Sequence, residues 1–519
     1  MNRNFLKKQG IFLLFLFALI CRLPGITRPL IMDETTAVAV IKLPLEGIIN
    51  AMIYNSQPPL YFYLLKLWSQ ISSSAWFLRL FGVLLGAGTC MLVLRTAKIA
   101  FNERISRITF LLAALSPQLV FNSQYLRPYC LATFFTACLV LILLKFIKEE
   151  KGQAAYFLLL TLTTAACFYS FYFSFLIFAA LNAFCVVFLA RKTRKLLIWL
   201  FSQATALTLF SFWFPVFLTQ KYLIENNVTC YIKSLSDAKM GFYMGNFHVG
   251  NIFRIVLAYF SLDDILGSAL RFSSHIQYKA LFVTLSCIAL LLLAVYVYRA
   301  IKAMFKEEKI KNISFLPLCL IFFPAGLMLI FSIGADLKLW PQNVVNMRYF
   351  GQSSLYFLII AAFFVTGFKR KTFRITTLAM IIFLFFLADL HIYQHPFYIN
   401  NSVVSYFLKH QNNGCKVIIA SPSTAMGFLH PLSDKRLADY EIRIYSEDDK
   451  QNTAVKERMK HLDRFYYYFF NSAENIVLYP DLQDKFNIFA GKLGFQRQEN
   501  RLFCDIISVS YYIKKRGID

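Results

Sequence analysis

Residues 11–40 read "IFLLFLFALICRLPGITRPLIMDETTAVAV". An apolar run follows the basic head "MNRNFLKKQG" and ends at a Pro- and Gly-containing turn, beyond which two acids, Asp33 and Glu34, stand side by side. The head and run have the layout of a secretory signal, yet "ALI" precedes Cys21 where cleavage prefers small residues. The run therefore reads as an uncleaved first helix that enters the membrane from the cytoplasm. The acids then lie just outside the bilayer on the far side, with a helix expected from Thr35 onward.

The rest of the chain carries the same signal. Of 519 residues, 58% are hydrophobic, 17% aromatic and only 16% charged, a balance that describes a polytopic membrane protein rather than a soluble domain. A span needs about 20 mostly apolar residues. Candidate runs cover residues 75–97, 105–122, 126–147, 154–170, 172–190, 196–218, 279–299, 313–333, 348–368 and 373–393. With the first helix they make about eleven spans, within a range of roughly 10 to 13.

Charge sets the orientation. The net charge of +26 would suggest nucleic acid in a soluble chain, but the basic residues fall in short connections between apolar runs, so no nucleic-acid partner is expected. Those connections are Arg95 to Arg107, Lys145 to Lys151, "RKTRK" at 191–195, Arg299 to Lys311 and "KRKTFR" at 369–374. By the positive-inside rule all five share the cytoplasmic side with the N-terminus. The opposite side receives a first outer loop at 28–74, a long outer loop at 219–278, a short turn near Asn122 to Leu126, residues 334–347 and the tail.

Within the first outer loop, "SQPPLYFYLLKLWSQIS" at 56–72 has Pro58-Pro59 at a helix start, Lys66 mid-run, and Leu60, Leu64, Leu67 and Ile71 on one face. This pattern predicts a helix lying along the membrane surface rather than another span. The tail, 394–519, is more polar. It has strand-like runs at 416–420, 475–479 and 504–513 and an expected helix near 452–471, which together predict a small extracytoplasmic α/β domain after a transmembrane domain at 1–393.

Eleven cysteines give neither a disulfide framework nor a metal spacing: Cys90, Cys130, Cys138, Cys167, Cys287 and Cys319 lie inside apolar runs, while Cys230, Cys415 and Cys504 leave room for one bridge. No cofactor is expected, and the sequence leaves a divalent metal open. His248 and the acids Asp263 and Asp264 read as residues of a solvated loop.

Three features bear on chemistry. An acid at the membrane surface beside Leu30, Ile31 and Met32 has its proton affinity set by burial and neighbours, as a general base requires. Solvation of the loop, or capping of the following helix by Asp33, are the structural readings of the same pair. Arg127, in "SQYLRPYCLATFF" at 123–135, stands at the outer end of a span with Pro128 at the next helix start. It reads either as an interfacial arginine reaching for headgroups or as a grip on the phosphate of a lipid carrier, which its fork of donors fits. Arg348, in "NVVNMRYFGQSSLYF" at 343–357, opens another span on the same side, with Tyr349 beside it as a candidate aromatic-belt residue.

The order of "RLPG…DE", "QPPLYFYLLKLW", "RLFGVLLGA", "SPQLVFNSQYLRPYCL" and "MRYF" resembles the membrane glycosyltransferases of the GT-C fold, which include the protein O-mannosyltransferases and the bacterial aminoarabinose transferases of lipid A. The resemblance covers the first 150 residues best. It implies inverting transfer of a sugar from a polyprenyl-phosphate carrier to a hydroxyl of a lipid, glycan or protein acceptor, at the outer face of the cytoplasmic membrane. By the same resemblance Asp33 is the general base and Glu34 a positioning acid. Arg127 and Arg348 stabilise the departing phosphate, and Gln57, Pro58, Pro59, Tyr61, Tyr125, Tyr129 and Tyr349 are candidate walls of the substrate groove. Two departures stand out: Gln57 occupies a position where many members have His, and Tyr125 and Leu126 precede Arg127 where many have an acid. The competing classes are a polysaccharide polymerase or ligase, and a transporter of lipid-linked or small solutes. A transporter predicts ionisable groups in mid-span and repeated halves, neither of which is visible.

Overall fold

A computed structural model gives the architecture and describes residues 3–28, 30, 32–55, 57–222, 298, 315–336, 351–394, 406–407, 416–420, 441–444, 449–470, 482–503 and 507–514. The expected span at 279–299, apart from Tyr298, and the cysteines at 230, 287, 415 and 504 lie outside these residues, as do His248, Asp263 and Asp264. Contacts divide the chain into two units, one of residues 1–27, 40–224 and 241–393, the other of 28–39, 225–240 and 394–519.

The first unit is helical. In chain order it contains α1 (Arg3–Ile20), the end of α2 (Met32–Lys42), α3 (Leu45–Asn55), α4 (Leu60–Ser69), α5 (Ala75–Ala100), α6 (Glu103–Leu115) and α7 (Pro117–Gln124). Then come α8 (Tyr129–Lys148), α9 (Gln153–Ser170), α10 (Ser174–Leu189), α11 (Thr193–Ser211) and α12 (Phe214–Tyr222). After the long loop stand α13 (Leu316–Asp336), α14 (Gly351–Gly367) and α15 (Lys371–Gln394).

Among the described residues, two helices, α5 and α8, are each long and apolar enough to cross a membrane, and up to four spans result if the bent pairs α6 with α7 and α11 with α12 are each counted as one. The run at 105–122, expected as one straight span, is bent by 52° at Ser116. The cause is local. Pro117 lacks an N–H and crowds the residue before it out of the helical region, and Ser116 accordingly has ψ 120°. The run at 196–218 is also broken, by 61°, between Ser211 and Phe214.

The centre of the bundle is α5, which packs against α1, α6, α7 and α8. Gly82 and Gly86 allow α7 to come close, because a Cβ at either would overlap Ser123. At the other end of α5, Lys148 donates to Ile99 O (2.9 Å), and Lys195 donates to Ile147 O (3.1 Å) and Glu149 O (2.9 Å), capping the carbonyl end of α8. Lys195 also bonds Glu150, and this draws the Glu150 carboxyl below its usual pKa. Three of the five basic connections therefore meet at one end of the bundle.

The surface helix predicted after Pro58-Pro59 is α4. Tyr61, Phe62 and Leu65 face inward; of the apolar stripe, Leu60 and Leu64 are half-buried, while Leu67 and, just past the helix end, Ile71 are 67% and 72% exposed. Lys66, anomalous in a membrane span, donates to Ile41 O (3.0 Å) and Leu43 O (2.6 Å) and so caps α2.

Among the described residues of the second unit, five strands, β1 (Val417–Ala420), β2 (Glu441–Ile444), β3 (Arg464–Phe470), β4 (Phe495–Phe503) and β5 (Ile507–Lys514), form a sheet in the order β2-β1-β3-β5-β4. The pairs β1–β2 and β1–β3 are parallel; β3–β5 and β4–β5 are antiparallel. On one face Val417, Ile419, Phe465, Tyr467 and Tyr512 pack against α16 (Asp449–Lys460) and α17 (Leu482–Lys492), with Tyr467 stacked on Phe486 at 3.6 Å. The single helix expected near 452–471 is thus corrected: it ends at Lys460, and "RFYYYFF" is β3. An aromatic run whose alternate residues face opposite sides suits a pleated strand, and Phe465 and Tyr467 take the helix-covered side. The strand-like run at 475–479 lies outside the described residues.

Candidate functional site

The turn "RLPGIT" that joins α1 to the acidic segment is held by buried side chains on several sides. Arg22 has no exposure at all. Its guanidinium donates to Ala18 O (2.9 Å), Ala113 O (3.0 Å), Ala114 O (3.2 Å), Ser123 Oγ (3.2 Å) and Cys90 Sγ (3.2 Å). Two of these carbonyls belong to the last turn of α6, where a helix has no acceptors left for its own C=O groups. In return Gln124, at the end of α7, donates its amide to Arg22 O (2.7 Å) and Pro24 O (2.5 Å). Arg79, equally buried on α5, donates to Ile26 O (2.9 Å). Gly25 takes a positive φ of 79° inside the turn, a conformation that favours glycine. Neither buried arginine nor Gln124 was singled out by the sequence, which offers only an "RLPG" after a span as a cue.

Beyond the turn, Arg28 and Glu34 form a two-pronged ion pair, Nη1 to Oε2 at 2.7 Å and Nη2 to Oε1 at 3.1 Å, with side chains 4% and 0% exposed. Both carboxylate oxygens of Glu34 are engaged, so this acid is fixed in place as an anion. Asp33 lies inside α2 and so is not its N-cap; its side chain is outside the described residues.

Arg127 follows α7 in the short segment 125–128. It is 9% exposed, so it is not the headgroup-seeking arginine that its position at a span end suggested. A guanidinium inside an apolar bundle is costly and marks a functional position by default. The backbone N–H of Arg127 donates to Tyr125 O (2.6 Å), and rings line the same stretch: Phe121, Tyr125 and Tyr129 stack successively at 5.2 and 6.1 Å, with Phe171 edge-on to Tyr129 at 5.2 Å.

The Gln57-Pro58-Pro59 corner is positioned from the far side of the bundle. Trp213 Nε1 donates to Tyr172 Oη (2.8 Å), Tyr172 donates to Gln220, and Gln220 Nε2 donates to Met52 O (2.7 Å) and Gln57 O (3.2 Å). Pro58 and Pro59 are buried, and Tyr61 is buried against Phe62 and Phe81. Arg348 and Tyr349 lie outside the described residues.

Residues 56–214 match the family described as dolichyl-phosphate-mannose-protein mannosyltransferase, a segment that holds the Gln57–Pro59 corner, Gly82 and Gly86 of α5, and Arg127. Among solved structures, ArnT from Cupriavidus metallidurans in the apo state aligns over 97% of this chain and 98% of its own, with a TM-score of 0.52 and 10% identity. The same protein bound to undecaprenyl phosphate aligns with a TM-score of 0.45 and 11% identity, over 97% of this chain and 98% of its own. The Archaeoglobus fulgidus oligosaccharyltransferase aligns with a TM-score of 0.44 and 14% identity, over 91% of this chain and 70% of that one. No curated protein matches in sequence. The chain therefore shares the fold of ArnT, the GT-C fold that its motif order implied, and its residues 56–214 resemble the mannosyltransferase family.

Proposed function

We propose that this protein transfers a sugar, with inversion, from a polyprenyl-phosphate carrier to a hydroxyl of a lipid, glycan or protein acceptor at the outer face of the cytoplasmic membrane. The observation that carries the reading is Arg127: a buried guanidinium flanked by stacked tyrosines, inside the segment that matches a family named for a dolichyl-phosphate-linked donor. The gathering of three basic connections at one end of α5 supports a cytoplasmic N-terminus, with the acidic segment and the tail outside.

In this mechanism Asp33 takes the proton of the acceptor hydroxyl as its oxygen attacks the anomeric carbon. The bond from that carbon to the phosphate oxygen breaks, and the polyprenyl phosphate leaves as an anion. Arg127 and Arg348 stabilise that anion, which removes the need for a strong general acid. Glu34, held by Arg28, positions the acidic segment and takes no proton. Gln57, Pro58, Pro59, Tyr125, Tyr129 and Tyr349 border the donor groove, and no cofactor enters the step.

The test is kinetic. Arg127→Ala and Arg348→Ala are each expected to raise KM for the lipid-linked donor and lower kcat, because a phosphate contact acts in both ground and transition states. Unchanged kinetics in both variants would remove the phosphate site from the account.

A further inference from the structure

Between α1, α5 and α8 the bundle surface is indented by a groove of about 440 Å³. Its floor is one face of α5, where Gly88, Met91, Leu92 and Arg95 recur at the three- and four-residue spacing of a helix side. Ile11, Phe12 and Phe15 of α1 make one wall, and Phe12 is 63% exposed within it. Phe134 of α8 stands at the Gly88 end, where a Cβ on the glycine would come within 3.1 Å of its ring. The other end opens at Arg95, whose side chain is exposed and, among the described residues, has neither an ion pair nor a hydrogen bond. Its neighbours are occupied: Lys98 and Arg107 both pair with Glu103.

Lipid touches every outward apolar face of a spanning helix; this face differs in being indented and in ending on a guanidinium that no acid of the protein neutralises. Dimensions and charge select the occupant. Gly88 and Arg95 are seven residues apart, so the floor runs about 10 Å along α5, within the roughly 15 Å that one leaflet contributes to the hydrocarbon core. Arg95 stands at the end of α5 where Lys148 reaches Ile99 O, the cytoplasmic end in the orientation proposed above. An acyl chain that enters the groove from that leaflet therefore has its phosphate at the level of Arg95. By position α1 adds two cations, since it continues one turn past Ile11 and Phe12 to Lys7 and Lys8. A guanidinium with no acid beside it suits a phosphodiester, which its fork of donors can bond twice. A zwitterionic headgroup would bring an ammonium to the same cations, whereas a purely anionic one brings none.

We propose that the groove between α1, α5 and α8 is a binding site for an anionic phospholipid of the cytoplasmic leaflet, with one acyl chain between Phe12 and Met91 and the phosphate on Arg95. The site lies at the opposite end of the bundle from Arg127, which precedes α8, while Lys148 at the far end of that helix marks the Arg95 side. It needs the orientation proposed above and does not depend on sugar transfer.

The experiment is native mass spectrometry of the full chain, purified in detergent, stripped of lipid and titrated with phosphatidylglycerol, with phosphatidylethanolamine of the same chains, and with undecaprenyl phosphate. Wild type is expected to take its first phosphatidylglycerol about fivefold tighter than phosphatidylethanolamine, the margin that one basic residue gives at an anionic lipid surface. Arg95→Gln is expected to lose most of that margin, and Met91→Trp, which fills the groove, to weaken both phospholipids. Phe12→Ala, at an exposed wall position, serves if Met91→Trp fails to fold. Equal binding of the two phospholipids by wild type, or an unchanged preference in Arg95→Gln, would overturn the site. Tighter retention of undecaprenyl phosphate that Arg95→Gln abolishes would make the groove a carrier site, and a dimer that Phe12→Ala dissociates would make it an interface between copies; either result would overturn the phospholipid assignment.

Discussion

Asp33→Asn is expected to lower the turnover number by about 10²–10⁴-fold, the usual span for loss of a general base, while leaving donor-lipid affinity within a factor of about two. The amide has the shape of the carboxylate and cannot take a proton from the acceptor hydroxyl. Such a split, turnover lost and binding kept, separates a base from a structural acid. Its neighbour gives the contrast. Glu34 is clasped through both oxygens by a buried Arg28, so removing its charge breaks a buried two-pronged ion pair and should act through folding instead. Measurement of kcat and donor binding on purified Asp33→Asn decides the first point, and turnover near that of wild type would rule Asp33 out as the base.

Arg22→Ala is the largest expected effect on stability, a loss of about 3–5 kcal/mol. The side chain satisfies three backbone carbonyls and Ser123 Oγ within an apolar bundle, and its removal takes this donor from all three carbonyls together. Arg22→Lys should recover part of this, since a single ammonium cannot reach every acceptor that the guanidinium fork reaches. The readout is the thermal midpoint of the solubilised protein, ordered wild type, Arg22→Lys, Arg22→Ala. An unchanged midpoint in Arg22→Ala would show that the buried arginine does not hold the α6–α7 break.

The apolar runs were legible because hydropathy and length report directly on burial in lipid: α5, α8 and α9 fall where the runs at 75–97, 126–147 and 154–170 placed them. The α6–α7 break was legible too, in Ser116-Pro117, but a hydropathy window averages over a single proline. Arg127 shows a deeper limit. An arginine at a span end reads either as surface-seeking or as a grip on phosphate, and only the packing around it reveals that it is buried. Arg22 and Arg79 were missed for the same reason, since their acceptors are backbone carbonyls and side chains that no side-chain pattern marks. In the tail the error came from the aromatic run at 464–470, which extends a helical segment by composition but whose alternation is that of a strand.

The central claim is transfer from a polyprenyl-phosphate sugar, and mass spectrometry of envelope lipids, glycans and glycoproteins tests it most directly, on cells carrying the active gene, no gene, or Asp33→Asn. The account predicts that a polyprenyl-phosphate sugar accumulates in both defective strains and that one acceptor loses the matching sugar mass. Lipid-linked sugars and acceptors identical in all three strains would contradict it.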